Sequence, residues 1–514
     1  MSALIFRYFI IIFLLFSAVD TLATPASNPI NDWKQYKNFL IFAVPVSFGK
    51  FDPISFLQAH TKYTLPLVFE PLVSINPNQE LEPILAKSWD IDQQHNTITI
   101  TLNNNHKFSD GSQVTSQDVV NSILRVCSNK SRVSLELEGL IGCNKQNPQV
   151  EALNATTIKF KINTHPTIFL FQLASPNAVI TKRNLSGELL GSGPYFLDTL
   201  NHDYIILKKN THYYDPLNIK NDGIIFYYLD KNKVHESLKT ERPDGIIMYR
   251  TSDLNGLQDD NYKTIKSNSN ITMIFVINNF HFPFNYKIVR EAISAEIYDQ
   301  HKVEFCVSNS HKAYGIIPTG LGGSIANMSP ISKPKINPET VFKQVPSLKD
   351  KMAIVYVHRH IDSKNTCEEN ALIEAAKKYN ISMKFIYDAD YSILLSLYQN
   401  HKADAFMELY VAKNREAYTV LQPFAHNGAN VANIKGFQLD NLLNIALSEP
   451  SSHKRFQDYN AIAKYIESEA FVIPLYYSDH SNLISQCILG VSKDFYFNPY
   501  RIFPSLYKSR GCVN

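Results

Sequence analysis

The concentration of histidine at His358-Arg359-His360 is the first group of side chains whose types and spacing could support chemistry. At strand spacing His358 and His360 point to the same side, where two imidazoles could hold a metal ion or a haem iron. Two ligands alone make a weak metal site, so we predict a solvated strand end and no metal here. Arg359 offers different chemistry, because its planar guanidinium pairs with a carboxylate through two parallel hydrogen bonds.

No catalytic or nucleotide-binding motif accompanies this triplet. The sequence contains no G-x-x-x-x-G-K-[ST] phosphate loop, no H-E-x-x-H zinc helix and no G-x-S-x-G nucleophile elbow. The formal net charge of +3 is too close to neutrality to indicate a nucleic-acid partner. We therefore expect neither an enzyme nor a cofactor nor a nucleic-acid-binding protein, and a secreted hydrolase has no motif to support it.

Aromatic side chains are the remaining source of binding chemistry. The chain has 28 tyrosines and 31 phenylalanines but only two tryptophans. Tyrosine combines an apolar face with a hydroxyl group, which suits a wet and adaptable pocket. Most of these residues must belong to the core or the ordinary surface. As pocket residues we select Phe48, which follows the first predicted strand, together with Tyr410, Tyr476 and Tyr477.

The amino terminus is typical of a secretory signal peptide. Arg7 precedes an apolar run from Tyr8 to Ala18, and Thr21 and Ala23 occupy the small positions before a predicted cleavage after Ala23. The run is too short for a transmembrane span, and no cysteine stands there to accept a lipid. We therefore predict a mature protein that is periplasmic, soluble and not lipid-anchored.

Six cysteines occur in the chain, and an even count in an exported protein indicates disulfides. No two of them have C-x-x-C spacing, so a structural zinc site is not expected. The connectivity does not follow from sequence alone. The favoured pairs, two by closeness in the chain and the third by elimination, are Cys127 with Cys143, Cys487 with Cys512 and Cys306 with Cys367.

The elements that must position the candidate residues are clearest between Tyr63 and Val120. The segment Thr97 to Leu102 alternates threonine with isoleucine or leucine, as a half-buried strand requires. Asp110-Gly111 then forms a turn pair, and Thr115 occupies a helix N-cap position with Asp118 three residues later. We predict a strand, a turn and a capped helix, with Asp110 and Asp118 as structural residues.

The order and spacing of this region resemble the signature of the bacterial extracellular solute-binding proteins of family 5, the oligopeptide and dipeptide receptors of ABC importers. The residues that carry the resemblance read Y-T-L-P-L-V-F-E-P-L-V, then E-P-I-L-A-K-S-W-D, then H-K-F-S-D-G-S-Q-V-T-S-Q-D-V-V. Later passages extend it, namely G-S-G-P-Y, the buried run Ile271 to Ile277, V-R-E-A-I in the helix that follows, and F-V-I-P-L-Y-Y near the end. The similarity covers nearly the whole chain from about residue 38 onward.

The resemblance implies an α/β protein with the two-lobed periplasmic-binding-protein fold of class C, in which an extra domain enlarges the first lobe. A mature chain of roughly 490 residues also exceeds what one hydrophobic core supports. The expected boundaries are 1–23 for the signal peptide, 24–75 with 190–270 and 480–514 for lobe I, 76–189 for the extra domain, and 271–479 for lobe II.

The chain departs from the family pattern between Asp404 and Tyr418. Peptide receptors of the family carry W-x-A-D-Y here, and the resemblance implies that this aspartate pairs with the α-amino group of a bound peptide. In our alignment the aspartate falls on or near Lys413, and the tryptophan falls on Leu409 or Tyr410. The usual partner of the amine is therefore missing.

Two acids can replace that partner, and two cations suggest other ligands. Glu408 and Glu416 are the candidate substitutes, since a buried ammonium group needs a counter-charge. Lys413 either favours an anionic ligand or is a solvated loop residue. The family places the end of the strand that contains His358 near the ligand, which makes Arg359 a candidate for binding a ligand carboxylate.

Together these features predict a periplasmic substrate-binding protein of an ABC importer. It is expected to act as a monomer that captures peptides or peptide-like molecules by lobe closure and delivers them to an inner-membrane ABC permease. One alternative is a non-transport relative that serves as a periplasmic ligand sensor or chaperone. Another is a receptor for a non-peptide ligand such as an opine, a sugar conjugate, a nickel chelate or haem. None of these functions requires catalysis.

Overall fold

The structure is a computed structural model, and it describes residues 36–55, 61–128, 149–162, 165–247, 254, 257, 259–266, 270–299, 306, 310–325, 333–358, 366–388, 402–412, 415–426, 430–479, 481–492 and 499–511. The strands in chain order are β1 (Phe39–Val44), β2 (Val73–Ile75), β3 (Leu81–Pro83), β4 (Ala86–Asp92), β5 (Thr97–Leu102), β6 (Val150–Asn154), β7 (Thr157–Lys161), β8 (Lys182–Arg183), β9 (Leu189–Leu190), β10 (Tyr195–Leu200), β11 (Tyr204–Lys209), β12 (Gly223–Tyr228), β13 (Gly245–Ile246), β14 (Tyr262–Lys266), β15 (Ile271–Ile277), β16 (Ser310–Lys312), β17 (Lys351–His358), β18 (Ile381–Asp388), β19 (Ala405–Val411), β20 (Val472–Ser478), β21 (Ser481–Ser485), β22 (Ile488–Leu489) and β23 (Tyr507–Lys508). The α-helices are α1 (Thr61–Val68), α2 (Ser116–Ser128), α3 (Pro166–Leu173), α4 (Val234–Thr240), α5 (Lys287–Asp299), α6 (Pro338–Gln344), α7 (Cys367–Lys377), α8 (Tyr418–Leu421), α9 (Gln438–Ser448), α10 (Ser452–Ser468) and α11 (Pro499–Ser505).

The larger sheet has seven strands in the order β10, β11, β12, β1, β13, β21 and β14. Its centre is parallel, because β1 runs in the same direction as both β12 and β13. Antiparallel strands complete both edges. Successive residues of β1 face opposite sides, so Phe42 packs into the core on one face and Ala43 into the core on the other.

The second large sheet has six strands in the order β16, β20, β15, β19, β17 and β18. Here β17 is parallel to β18 and β19, whereas β15 is antiparallel to β19 and β20. All residues of β15 are buried, which confirms the predicted buried strand from Ile271 to Ile277. Ile274 faces one core and Phe275 the other, so the sheet is covered on both sides.

A smaller antiparallel sheet in the order β4, β5, β7, β6 carries α2. The predicted strand from Thr97 to Leu102 is confirmed as β5. The predicted cap is also confirmed, because Thr115 Oγ1 donates to Asp118 Oδ2 at 2.6 Å while the backbone N–H of Asp118 donates to Thr115 Oγ1 at 3.4 Å. Asp110 stabilises the predicted turn by accepting a 2.9 Å hydrogen bond from the backbone N–H of Ser112.

The chain runs between the two large sheets at two places, from β14 to β15 and from β20 to β21. The strand residues on either side of these two passages are paired with each other in both sheets. Lys266 pairs with Ser481 in the seven-stranded sheet, and Ile271 pairs with Ser478 in the six-stranded sheet. We call this feature the paired crossing.

The predicted disulfide between Cys306 and Cys367 is confirmed, with the two Cα atoms 5.2 Å apart. Cys127 and Cys487 are disulfide-bonded as well. Their predicted partners, Cys143 and Cys512, lie outside the described residues.

The predicted signal peptide, residues 1–23, also lies outside the described residues and stays a prediction. Among the helices that the structure describes, none has the length and apolar character of a membrane span.

Candidate functional site

The carboxyl ends of the parallel strands in both large sheets point toward the paired crossing. In the seven-stranded sheet β21 starts there and runs antiparallel to β13, so β1, β12 and β13 end at that edge. In the six-stranded sheet Val411, the last residue of β19, lies opposite Ile271 at the crossing, and β17 runs parallel to β19. Open α/β sheets bind ligands outside the carboxyl ends of their strands. We therefore take the space along this edge as the candidate site and call it the cleft edge.

Three of the predicted site residues share one face of the six-stranded sheet. The strand register places Tyr410, Thr272 and Tyr477 in a row across β19, β15 and β20. Residues directly opposite each other in antiparallel strands project to the same side. Glu408 lies two residues before Tyr410 on β19 and so shares this face, where it is buried.

The hydroxyl groups of the two tyrosines in this row form hydrogen bonds with the protein's own backbone. Tyr477 is fully buried, and its hydroxyl donates to the carbonyl oxygen of Gly315 at 2.9 Å and accepts from the Gly315 N–H at 3.1 Å. Burial raises the pKa of the Tyr477 phenol above its ordinary value. Tyr410 donates to the carbonyl oxygen of Thr419 at 3.4 Å. Tyr477 therefore fixes the loop at Gly315 to β20, and Tyr410 fixes α8 to β19.

Tyr476 projects to the opposite face of β20. Its side chain packs in the core that also contains Met273, and its hydroxyl donates to Glu368 Oε1 at 2.8 Å. Glu368 is buried in the first turn of α7. The contact anchors the start of that helix, so Tyr476 has a structural role.

Phe48 lies in the loop after β1, at the expected edge of the seven-stranded sheet. Its side chain is only 4% exposed and packs in the core with Leu40 and Phe42. Its backbone N–H donates to the carbonyl oxygen of His202 at 2.9 Å. The loop lies at the edge expected from the sequence, but the Phe48 ring is part of the core beneath it, and a ligand-binding role for this loop stays a prediction.

Arg359 and Lys413 lie outside the described residues. Arg359 follows the last residue of β17, and Lys413 follows the last residue of β19 by two positions. Both strands end at the cleft edge. His360 is also outside the described residues, and no group of three metal-ligating side chains occurs in the part of the chain that the structure describes.

Glu416, one of the two acids proposed to replace the missing aspartate, is already paired within the protein. It is fully buried, and its Oε2 lies 3.4 Å from Nη2 of Arg455. Burial raises the pKa of the Glu416 carboxyl, and the Arg455 charge opposes that rise. This ion pair removes Glu416 as an amine partner, whereas the role of Glu408 stays a prediction.

Two apolar residues near the cleft edge were missed as binding candidates. Leu409 and Val411, on the face of β19 opposite Glu408, expose 43% and 40% of their surface. Leu409 and Val411 are alternate residues of an apolar strand, and such a sequence pattern predicts that both side chains are buried in the core. The sequence therefore gave no indication that they are exposed.

A hydrogen-bonded pair of titratable side chains lies beside the paired crossing. His311 Nε2 on the edge strand β16 is 2.8 Å from Oδ2 of Asp479, the residue after β20. The Asp479 side chain is 16% exposed, whereas that of His311 is 62% exposed. Burial raises the pKa of Asp479, and the neighbouring charges of His311 and Lys266 oppose the rise without cancelling it.

Comparisons with known proteins agree with the fold described above. The model of the bacterial extracellular solute-binding proteins, family 5 Middle, matches residues 80–431. The probable D,D-dipeptide-binding periplasmic protein DdpA of Escherichia coli is 22% identical over 450 residues, which span 82% of this chain and 83% of that protein. The periplasmic binding protein DppA from Helicobacter pylori in complex with the peptide STSA has a TM-score of 0.74 at 20% identity, covering 93% of this chain and 100% of that one. The binding protein AgaA from A. tumefaciens R10 in complex with agropinic acid has a TM-score of 0.73 at 17% identity, covering 92% and 99%.

These similarities confirm the two-lobed α/β periplasmic-binding-protein fold that the resemblance implied. The matched family and these relatives are binding proteins rather than enzymes. The residue boundaries of lobe I, the extra domain and lobe II stay a prediction.

The raised pKa of Asp479 predicts a pH-dependent stability. Because the folded protein holds this proton more tightly than the unfolded chain, the contribution is full below about pH 4 and is lost as pH rises through the raised pKa. We expect the melting temperature of Asp479→Asn minus that of the wild type to become more positive between about pH 4 and about pH 7. Thermal melts across this range measure the difference.

His311→Ala is the matched variant for this test. It removes one of the groups that hold the Asp479 pKa down, so the loss of stability should extend to higher pH than in the wild type. A difference between Asp479→Asn and the wild type that is the same at every pH would contradict this interpretation.

Proposed function

The chain belongs to the bacterial extracellular solute-binding proteins of family 5, and on this premise we propose that it is a periplasmic substrate-binding protein of an ABC importer. It captures a peptide or peptide-like molecule between two lobes and passes it unchanged to an inner-membrane permease, acting as a monomer and without catalysis. The single observation that carries this proposal is the convergence of the parallel strands of both large sheets on the paired crossing. Support also comes from relatives that are named for dipeptides, such as DdpA.

The paired crossing supports a mechanism of lobe closure. A ligand that contacts both lobes binds the closed arrangement more tightly than the open one, and this difference shifts the equilibrium toward closure. Hinges of this type concentrate the change of backbone angles in a few residues between rigid elements. Here the two sheets extend to Lys266 and Ile271 on one passage and to Ser478 and Ser481 on the other.

Leu409 and Val411 supply apolar surface for the ligand at the cleft edge. Ligand pockets are lined mainly by apolar side chains, with a few polar groups that fix orientation. For the polar groups we retain Arg359 and Lys413, because in the chain each comes just after a strand that ends at this edge. Glu408 lies on the opposite face of β19 from Leu409 and Val411, so it would have to act from the other side of the strand. Phe48, Tyr410, Tyr476 and Tyr477 support the site from within the core.

A thermal screen tests the ligand class. A ligand that binds only the folded state adds about 2.7 kcal/mol to the unfolding free energy at one hundred times its Kd. For a chain of this length that corresponds to a rise in melting temperature of roughly 2 to 3 degrees. We expect such a rise with pooled synthetic dipeptides, tripeptides and tetrapeptides, measured on periplasmic protein purified without refolding.

Separate pools of opines, sugar conjugates, nickel chelates and haem serve as the comparison. A rise confined to one of these pools would replace peptides by that ligand class. No rise in any pool, together with binding to unfolded polypeptides, would overturn the transport function in favour of a chaperone.

Truncation of the apolar edge should lower affinity for the peptide pool that scores in the screen. Burying the exposed part of one leucine or valine contributes about 1 kcal/mol, so Leu409→Ala and Val411→Ala should each weaken binding about fivefold in calorimetry. Met352→Ala is the control, because Met352 is 54% exposed on β17 at the opposite end of the same sheet. Equal loss of affinity in Met352→Ala, or none in the β19 variants, would contradict the placement of the site.

A further inference from the structure

The hairpin formed by β2 and β3 is anchored at its base to the seven-stranded sheet. The hydroxyl groups of Ser74 and Tyr500 are 2.7 Å apart, and Nη2 of Arg501 lies 2.7 Å from Oε1 of Glu82. Tyr500 and Arg501 belong to α11, and Phe503 of that helix packs in the core of the seven-stranded sheet. The base of the hairpin therefore moves with that sheet.

The tip of the same hairpin is the turn from Asn76 to Glu80. Asn76 closes it, because its backbone N–H donates to the carbonyl oxygen of Glu80 at 2.9 Å and its Oδ1 accepts from the Glu80 N–H at 3.0 Å. Gln79 has a φ of +63°, in the left-handed region that a glutamine adopts only at an energetic cost. Glycine would adopt this conformation freely. A glutamine here indicates a use for its side chain.

The Gln79 side chain contacts the segment that follows β16, the edge strand of the six-stranded sheet. Oε1 of Gln79 accepts a 2.6 Å hydrogen bond from the backbone N–H of Gly322. Nη1 of Arg415 donates to the carbonyl oxygen of Pro77 in the same turn at 3.4 Å. Arg415 is buried and lies four residues after Val411, the end of β19. The hairpin tip thus contacts the segment through which the chain leaves the proposed ligand-binding strand.

The partner of Gln79 is held in a fixed position. A Cβ atom on Gly322 would lie 2.4 Å from the ring of Phe456, so this backbone packs directly against α10. The N–H of Gly322 is therefore presented by a rigid surface. Because both backbones in this contact are constrained, a displacement of one is passed on to the other instead of being absorbed locally.

The exit of β19 is anchored from other directions as well. The backbone N–H of Ala412 donates to the carbonyl oxygen of Asn270, next to the paired crossing, at 2.9 Å. Glu416 is paired with Arg455, and the guanidinium group of Arg455 lies 5.2 Å from the ring centre of Phe171 on α3. The strand end is therefore fixed by the crossing on one side and by the β2–β3 and α3 regions on the other.

We propose that the β2–β3 hairpin is a strut between the two sheets and that Gln79 is a positioning residue for the carboxyl end of β19. The effect on ligand binding rests on the proposed function: a displaced β19 would present Leu409 and Val411 differently to the ligand. Val73 and Ile75 of the hairpin also pack in the same core as Ile274 of β15, so the hairpin adds a third connection between the sheets beside the two passages.

The test uses the ligand-free, full mature protein and amide hydrogen exchange read by mass spectrometry. Gln79→Gly removes the side chain with its hydrogen bond, but the relief of the strained φ offsets that loss, so stability should not fall. Gln79→Glu keeps an acceptor oxygen at the same position. Asn96→Gly is the matched control, because Asn96 also has a positive φ of 51° but lies in the exposed turn between β4 and β5.

We expect Gln79→Gly to speed exchange in the peptide that spans Ala405 to Ala412 by about fivefold, which corresponds to the loss of one net hydrogen bond. Its melting temperature should equal or exceed that of the wild type. Gln79→Glu and Asn96→Gly should exchange at the wild-type rate. Unchanged exchange in Gln79→Gly, or faster exchange in Asn96→Gly as well, would overturn the proposal. Because no ligand is added, failure of the peptide screen leaves this result interpretable.

Discussion

The antiparallel pairing of the two passages between the sheets is the constraint on which the rest of the structure depends. Each passage belongs to both sheets, so Lys266 is paired with Ser481 before the crossing and Ile271 with Ser478 after it. A shift of either register by one residue would turn every side chain of that strand to the wrong face. The pairing therefore fixes both cores and leaves bending between the sheets as the permitted movement.

The polar side chains near the paired crossing form internal hydrogen bonds that stabilise the six-stranded sheet; they do not form a reactive site. Tyr477 ties one face of β20 to the loop at Gly315, and Tyr476 ties the other face to Glu368 at the start of α7. These two contacts therefore hold β20 from both of its faces near its carboxyl end. A binding protein needs this combination, because ligand energy can drive closure only if it is not absorbed by deformation of the lobes.

Individual strands and helix caps could be predicted from the sequence because their patterns involve residues close together in the chain. The alternation in β5, the uninterrupted apolar run of β15 and the Thr115 cap each depend on residues a few positions apart. The roles of the site residues did not follow, since they depend on distant partners. Tyr477 is separated from Gly315 by 162 residues, and Gln79 from Gly322 by 243. No periodicity or spacing in a single sequence encodes such contacts.

Small-angle X-ray scattering of the mature protein, with and without a ligand whose binding calorimetry has confirmed, tests the central claim most directly. We expect a smaller radius of gyration in the bound state, because the two lobes close about the paired crossing. Superimposable scattering profiles at saturating ligand would contradict it.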